Sequence, residues 1–144
     1  MSSKASLRSD FVHFDTVDTR WADNDVYGHV NNVVYYAYFD TVVNRLLIKN
    51  KYLDPVSSPI IAVVAETSCR YFASISYPET IDVGLTVERL GNTSVIYRLG
   101  VFSQHSDSAA AEGRFVHVYV DRQSRKPVVI PQALREGLGA YLKS

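Results

Sequence analysis

The segment 31–50 limits the possible folds more than any other part of this 144-residue chain. Its first half, Val33 to Phe39, is apolar throughout and rich in β-branched and aromatic residues, so propensity alone permits a strand. Three features favour a helix. The length suits one, Asn31 or Asn32 can cap its start, and Arg45 and Lys49 fall near its end, where the helix dipole favours cations. A helix that is apolar all round its first half must be enclosed on most sides. The rest of the chain therefore has to wrap it.

The remaining sequence supplies strands for that purpose. Residues 11–20 alternate roughly between apolar and polar, as a half-buried strand does. Residues 60–72 read as a strand with small and apolar residues on both faces. Residues 80–90 place Ile81, Val83, Leu85 and Val87 on one face. Gly91-Asn92 marks a turn, and Val95, Tyr97, Leu99 and Val101 share a face of the next strand. In residues 109–121, Phe115, His117 and Tyr119 alternate with Val116, Val118 and Val120. Pro131 opens a short terminal helix with an apolar stripe of Leu134, Leu138 and Tyr141. Residues 1–10 read as a flexible N-terminal arm and 11–144 as a single domain. The fold class expected is α+β, an antiparallel sheet of about five or six strands around one long central helix, with a short C-terminal helix.

Charge and cysteine content restrict the partners. Fifteen basic residues balance fifteen acidic ones, which gives no electrostatic basis for a grip on nucleic acid. Cys69 is the sole cysteine, so no intrachain disulfide forms and a reducing cytosol is the natural compartment. The first ten residues contain no apolar secretory core, and no run long and apolar enough for a membrane helix occurs.

Ionisable groups gather where the first strand hands over to the long helix. The run is Arg20-Trp21-Ala22-Asp23-Asn24-Asp25-Val26-Tyr27-Gly28-His29-Val30-Asn31-Asn32. Amide N–H groups at a helix start lack partners, and the dipole there favours negative charge. A carbonyl oxygen set against them is polarised, and an oxyanion forming on it is stabilised. A neighbouring carboxylate can attack the carbonyl or activate a water. Those are the requirements of acyl transfer. The ordinary use of Asp and Asn before a helix is capping, and of Gly a turn.

The order of these residues adds a resemblance. Asp23-x-Asp25-x-x-Gly28-His29-Val30-Asn31-Asn32-x-x-Tyr35-x-x-Tyr38-Phe39-Asp40 resembles the signature of the 4-hydroxybenzoyl-CoA thioesterase family of hot-dog proteins, with its YbgC-like acyl-CoA thioesterases. The similarity continues through residues 64–71, 87–94, 111–121 and 127–131. It implies a hot-dog fold and hydrolysis of acyl-CoA thioesters without a cofactor or metal. Asp25 would be the nucleophile or general base, with His29 beside it and the Asn32 N–H polarising the carbonyl. Gly28, Asn31, Tyr35 and Thr67 would contact substrate, with residues 60–72 of a second subunit lining the acyl pocket of a homodimer or homotetramer. The family's basic coenzyme A loop is replaced here by Leu90-Gly91-Asn92-Thr93, leaving Arg89 and Ser94 as contacts. Asp40 stands where many relatives have Glu, and Tyr27 where plant acyl-ACP enzymes have Asn.

Other readings stay open. A hot-dog hydratase would carry four residues between its Asp and His, whereas three separate Asp25 from His29. A binding-only domain for acyl-CoA needs the same pocket, and an acyl-ACP could replace acyl-CoA. His13 and His117 on strands, His105 in a turn and Glu66 on a strand read as packing or surface residues. Cys69 reads as a small buried side chain.

Overall fold

Seven side chains along one side of the long helix find cover, rather than its whole circumference. In the computed structural model, which describes residues 4–143, α1 spans Val34–Lys49 and buries Tyr35, Tyr38, Phe39, Val42, Val43, Leu46 and Leu47. Steps of three and four residues set these on a single stripe. Val33, Ala37 and Ile48 are exposed, so the enclosure expected from the apolar sequence is not achieved within one chain. A single sheet covers one side of a cylinder and leaves the other open. The helix also begins three residues later than expected. Asn31 Oδ1 accepts the Val33 N–H at 3.2 Å and the Asn31 carbonyl accepts the Val34 N–H at 2.9 Å. Asn31, not Asn32, therefore closes the first turn.

The covering sheet has five antiparallel strands: β1 (His13–Asp18), β2 (Ile60–Tyr71), β3 (Thr80–Leu90), β4 (Ser94–Ser103) and β5 (Ala111–Asp121). Their order is β1-β3-β4-β5-β2. Alternation places Ile81, Val83, Leu85 and Val87 of β3 and Val95, Tyr97, Leu99 and Val101 of β4 in the core under α1, with Ala111, Phe115 and Tyr119 of β5. Phe39 lies so close to β5 that a methyl group on Gly113 would overlap its ring. This is the hot-dog arrangement of sheet and central helix. Among the described residues no helix is long and apolar enough to cross a membrane.

The edge strand β2 is left largely bare. It pairs only with β5, and most of its twelve residues are exposed, Val64 and Tyr71 among them. A bulge between Val64 and Glu66 shifts the register, so Val64 and Thr67 share the helix side with His117 and Phe115. Glu66, opposite Val116, turns to the outer face.

Two terminal segments differ from expectation. The short helix α2 (Gln132–Gly139) buries Leu134 and Leu138, while Tyr141 lies beyond it in a turn whose carbonyl accepts the Val87 N–H at 2.8 Å. Residues 5–10 are pinned down rather than loose. Leu7 bridges to Ser108, Ser6 Oγ bonds both Glu112 and Arg98, and Arg8 bonds Asp82 at 2.9 Å and the Ser103 carbonyl at 3.0 Å. A polar segment is held here because one guanidinium offers several donors to groups distant in sequence. Met1 to Ser3 lie outside the described residues.

His117 sets a stability test. It is buried among Tyr97, Phe115 and Tyr119, and its Nδ1 has no hydrogen-bond partner among the described residues. Burial lowers its pKa from 6.5 to about 4. The unfolded chain therefore binds the extra proton between those values while the folded chain does not. Stability is full above pH 6.5, declines as the pH falls and levels off below about 4. The decline attributable to this group is roughly 3 kcal/mol. His117→Phe should remove that part of the acid-side slope in urea midpoints, and an unchanged slope would place the sensitivity elsewhere.

Candidate active site

The two aspartates of the strand-to-helix loop have opposite surroundings. Asp23 is 1% exposed and closes the 3-10 turn Trp21–Asp23. Its Oδ2 accepts the Arg20 N–H at 2.9 Å and the Tyr38 hydroxyl at 2.8 Å, and its Oδ1 accepts Arg20 Nε and Nη2 at 3.1 and 3.0 Å. Burial pushes its carboxyl up, but the Arg20 amide, the Tyr38 hydroxyl and the Arg20 guanidinium together hold it below the usual carboxylate range. The Tyr38 hydroxyl is raised in turn, first by burial and then by the Asp23 charge. Asp23 is thereby fully engaged in fastening the loop to α1.

Asp25, two residues on, is anchored by one oxygen only. Its Oδ1 accepts the Tyr27 N–H at 2.8 Å and, at 3.4 Å, the His29 N–H. Oδ2 accepts nothing from the described residues. The loop doubles back on itself: Asp25 N–H donates to the His29 carbonyl at 2.8 Å, Asn24 bridges Val30, and Asn31 N–H donates to the Asp23 carbonyl at 2.8 Å. Gly28 turns the corner at φ +83°, where a Cβ would meet nothing within 4 Å. Its requirement is thus the left-handed backbone rather than space. Trp21, Ala22, Asn24, Asp25, Val26 and Gly28 line an open depression of about 520 Å³.

Folding brings Asp25, Gly28, His29, Asn31 and Asn32 into this one loop. The His29 ring is exposed, and its backbone holds Asp25 from both sides. The Asn32 carbonyl accepts the Tyr71 hydroxyl at 2.7 Å, while among the described residues its N–H donates to nothing. Tyr35 is buried beneath the helix start against Tyr71, ring centroids 5.1 Å apart, with its hydroxyl pushed up to about 12 by burial. In one chain it is a core residue. Thr67 is exposed on the helix side of edge strand β2. Cys69 is half-buried, and burial pushes its thiol up to about 11, far from a reactive thiolate. Asp40 is exposed and accepts Asn44 Nδ2 at 3.1 Å.

Arg89 and Ser94 are not brought to this site by their own chain. The loop is fastened to the start of β3, whereas Arg89 lies at the other end of it. Nine residue-to-residue steps of strand run from Thr80 to Arg89, about 30 Å. A larger depression of about 580 Å³ is also remote, between β1 and the C-terminal half of α1, and Arg45 there is tied to the Thr16 carbonyl at 2.8 Å. The segment that buttresses the loop carries no local signal of that role in the sequence. Ile75 O accepts the Val30 N–H at 2.7 Å, Ser76 Oγ donates to the Gly28 carbonyl at 2.9 Å, and Tyr77 N–H donates to Asn24 Oδ1 at 3.1 Å. Ser76-Tyr77-Pro78 reads as turn chemistry in the sequence, and nothing local links it to a loop some fifty residues earlier.

This geometry agrees with what similar proteins are. The profile of the thioesterase-like superfamily matches residues 19–138, and the chain belongs to that superfamily, which places it among thioester hydrolases. The crystal structure of the PA5185 protein of Pseudomonas aeruginosa is 51% identical, covers 97% of this chain and 98% of its own, and superposes with a TM-score of 0.94. Slr0204 of Synechocystis, a 1,4-dihydroxy-2-naphthoyl-CoA thioesterase, shares the fold at 16% identity and TM-score 0.79, covering 88% of this chain and 94% of its own. Among curated sequences, the uncharacterized protein YsmA of Bacillus subtilis is 25% identical over 122 residues, 84% of this chain and 81% of its own.

Gly28→Ala should cost about 1–2 kcal/mol, because its left-handed backbone penalises any Cβ. Since no side chain would clash, the loss should come from the loop alone, and amide exchange should rise in residues 24–31 while β3 and β4 stay protected. Parental exchange rates in the loop would show that the φ +83° conformation is not what holds Asp25 in place.

Proposed function

We propose that the chain hydrolyses acyl-CoA thioesters to a free acid and coenzyme A, with Asp25 as the catalytic carboxylate. The observation that carries this reading is the Asp25 carboxylate itself, fixed through Oδ1 by two loop amides and leaving Oδ2 without a partner among the described residues. Both oxygens of Asp23 are taken up by Arg20 and Tyr38, whereas Asp25 keeps Oδ2 open to a water or a substrate.

In this scheme the thioester carbonyl lies against the Asn32 N–H, beside Asn31, at the positive end of α1. Oδ2 of Asp25 takes a proton from water as the water oxygen bonds the carbonyl carbon. The oxyanion is held by the amide, and the C–S bond then breaks. Coenzyme A leaves as a thiolate and recovers the proton from Asp25, giving acid and thiol. Direct attack by Oδ2 followed by hydrolysis of the acyl-aspartate yields the same products. His29 contributes its backbone to the placement of Asp25.

The exposed β2 edge and the uncovered side of α1 support a homodimer or homotetramer with sites between subunits, Thr67 of a second copy facing the acyl group. Arg89 and Ser94 would reach coenzyme A only across such an interface. The chain's likeness to a naphthoyl-CoA thioesterase supports a coenzyme A carrier. The lone Cys69 with its unreactive thiol suits the cytosol.

Thiol release from short, long and aromatic acyl-CoAs, followed with a thiol-reactive dye, tests the proposal. Asp25→Asn should keep the thermal midpoint and lower kcat by about 10²–10⁴-fold. Turnover near the parental rate would remove Asp25 from the chemistry. Saturable acyl-CoA binding without any release by the parent would point to a binding-only domain, and release from acyl-ACP alone would change the carrier.

A further inference from the structure

Trp21 is the chain's single tryptophan, and it is 76% exposed. Large apolar side chains normally bury most of their area, so an indole held in water calls for an explanation. Val26, 93% exposed, stands with it in the lining of the depression that contains Asp25. The exposure is not that of a loose segment. Trp21 opens the 3-10 turn whose backbone is closed by Asp23 N–H to the Arg20 carbonyl at 2.9 Å. Asp23, buried and bonded to Arg20 and Tyr38, locks that turn to the helix. Tyr77 then meets the indole edge-on, with ring centroids 6.0 Å apart. A buried carboxylate and an aromatic neighbour thus fix an apolar surface beside the Asp25 carboxylate.

The charge of the depression narrows what fits. Asp25 is the one ionisable side chain in its lining; the others are Trp21, Ala22, Asn24, Val26 and Gly28. A second negative charge brought there would face Asp25 with no cation in the lining to offset it. We propose that Trp21 is the wall against which the acyl group of the substrate rests, making the site selective for uncharged, apolar acyl groups over carboxylate-terminated ones. This inference rests on the thioesterase reading of Asp25. It makes Trp21 a specificity-determining residue and Asp23, through the turn, a positioning one.

The single indole provides its own probe. In Asp25→Asn full-length protein, titration with benzoyl-CoA or hexanoyl-CoA should move Trp21 emission to shorter wavelength and saturate, while free coenzyme A and succinyl-CoA should not. In the otherwise native enzyme, Trp21→Ala should lower the preference for hexanoyl-CoA over acetyl-CoA in kcat/KM about tenfold, with Trp21→Phe restoring most of the difference. The Phe variant separates loss of the wall from loss of the fold.

Saturable calorimetric binding of benzoyl-CoA with unchanged emission would overturn the inference. So would an unliganded indole already shielded from acrylamide, which would mean that a second copy covers it. Thiol release with an unaltered hexanoyl-to-acetyl preference in Trp21→Ala would also remove Trp21 while leaving the thioesterase reading intact. Conversely, an emission shift with apolar acyl-CoAs but no thiol release by the parent would retain the wall and remove the hydrolysis.

Discussion

The apolar stripe of α1 has one place to go, and the rest of the molecule is arranged around that requirement. Seven large side chains on one helix face need a continuous apolar surface, and strands β3, β4 and β5 provide it by turning alternate residues to the same side. Phe39 approaches β5 at Gly113 because only a residue without a side chain leaves room for the ring. Once the helix is laid across the sheet, its first turn is fixed above the loop that follows β1. The stripe extends to Tyr38, whose hydroxyl reaches back to Asp23. The loop is therefore fastened to the same helix whose burial organises the core.

That fastening explains why two aspartates so close in sequence can behave differently. Asp23 sits under the loop with every lone-pair direction in use, which suits a charge excluded from water. Asp25 faces outward on the far side of the turn, holding its loop with Oδ1 alone. The first gives rigidity, and in the proposed scheme the second supplies reactivity. Neither role is separable from the helix start, where the Asn32 amide has no partner among the described residues. Rigidity also matters for Trp21, since an indole on a mobile loop would not define a pocket wall.

The regular strands were legible because their signal is local. Residues 80–90 alternate cleanly and form β3 over the same span, and the faces assigned to β4 and β5 are the faces found. The loop residues Asp25, Gly28, His29, Asn31 and Asn32 could be grouped because they are contiguous. What sequence did not disclose is long-range. The docking of residues 5–10 depends on Arg8 meeting Asp82, and the buttress of the loop on Ile75, Ser76 and Tyr77 meeting residues 24–30. Arg89 and Ser94 share a motif-level resemblance with Asp25, yet strand length places them at the opposite end of the sheet. The all-round apolarity of residues 33–39 implies enclosure, whereas one chain covers a stripe and leaves Val33 and Ala37 exposed.

In the proposed scheme a thioester carbonyl is polarised at the Asn32 amide while Asp25 supplies the base or nucleophile. Isotope-edited infrared spectroscopy of a carbon-13-carbonyl acyl-CoA bound to Asp25→Asn protein measures that polarisation directly. The carbonyl band should move to lower wavenumber than in water, because a fixed amide at a helix start withdraws more charge than mobile solvent does. A band at or above its position in water would show that the carbonyl is not held at the helix start and that this amide does not polarise it.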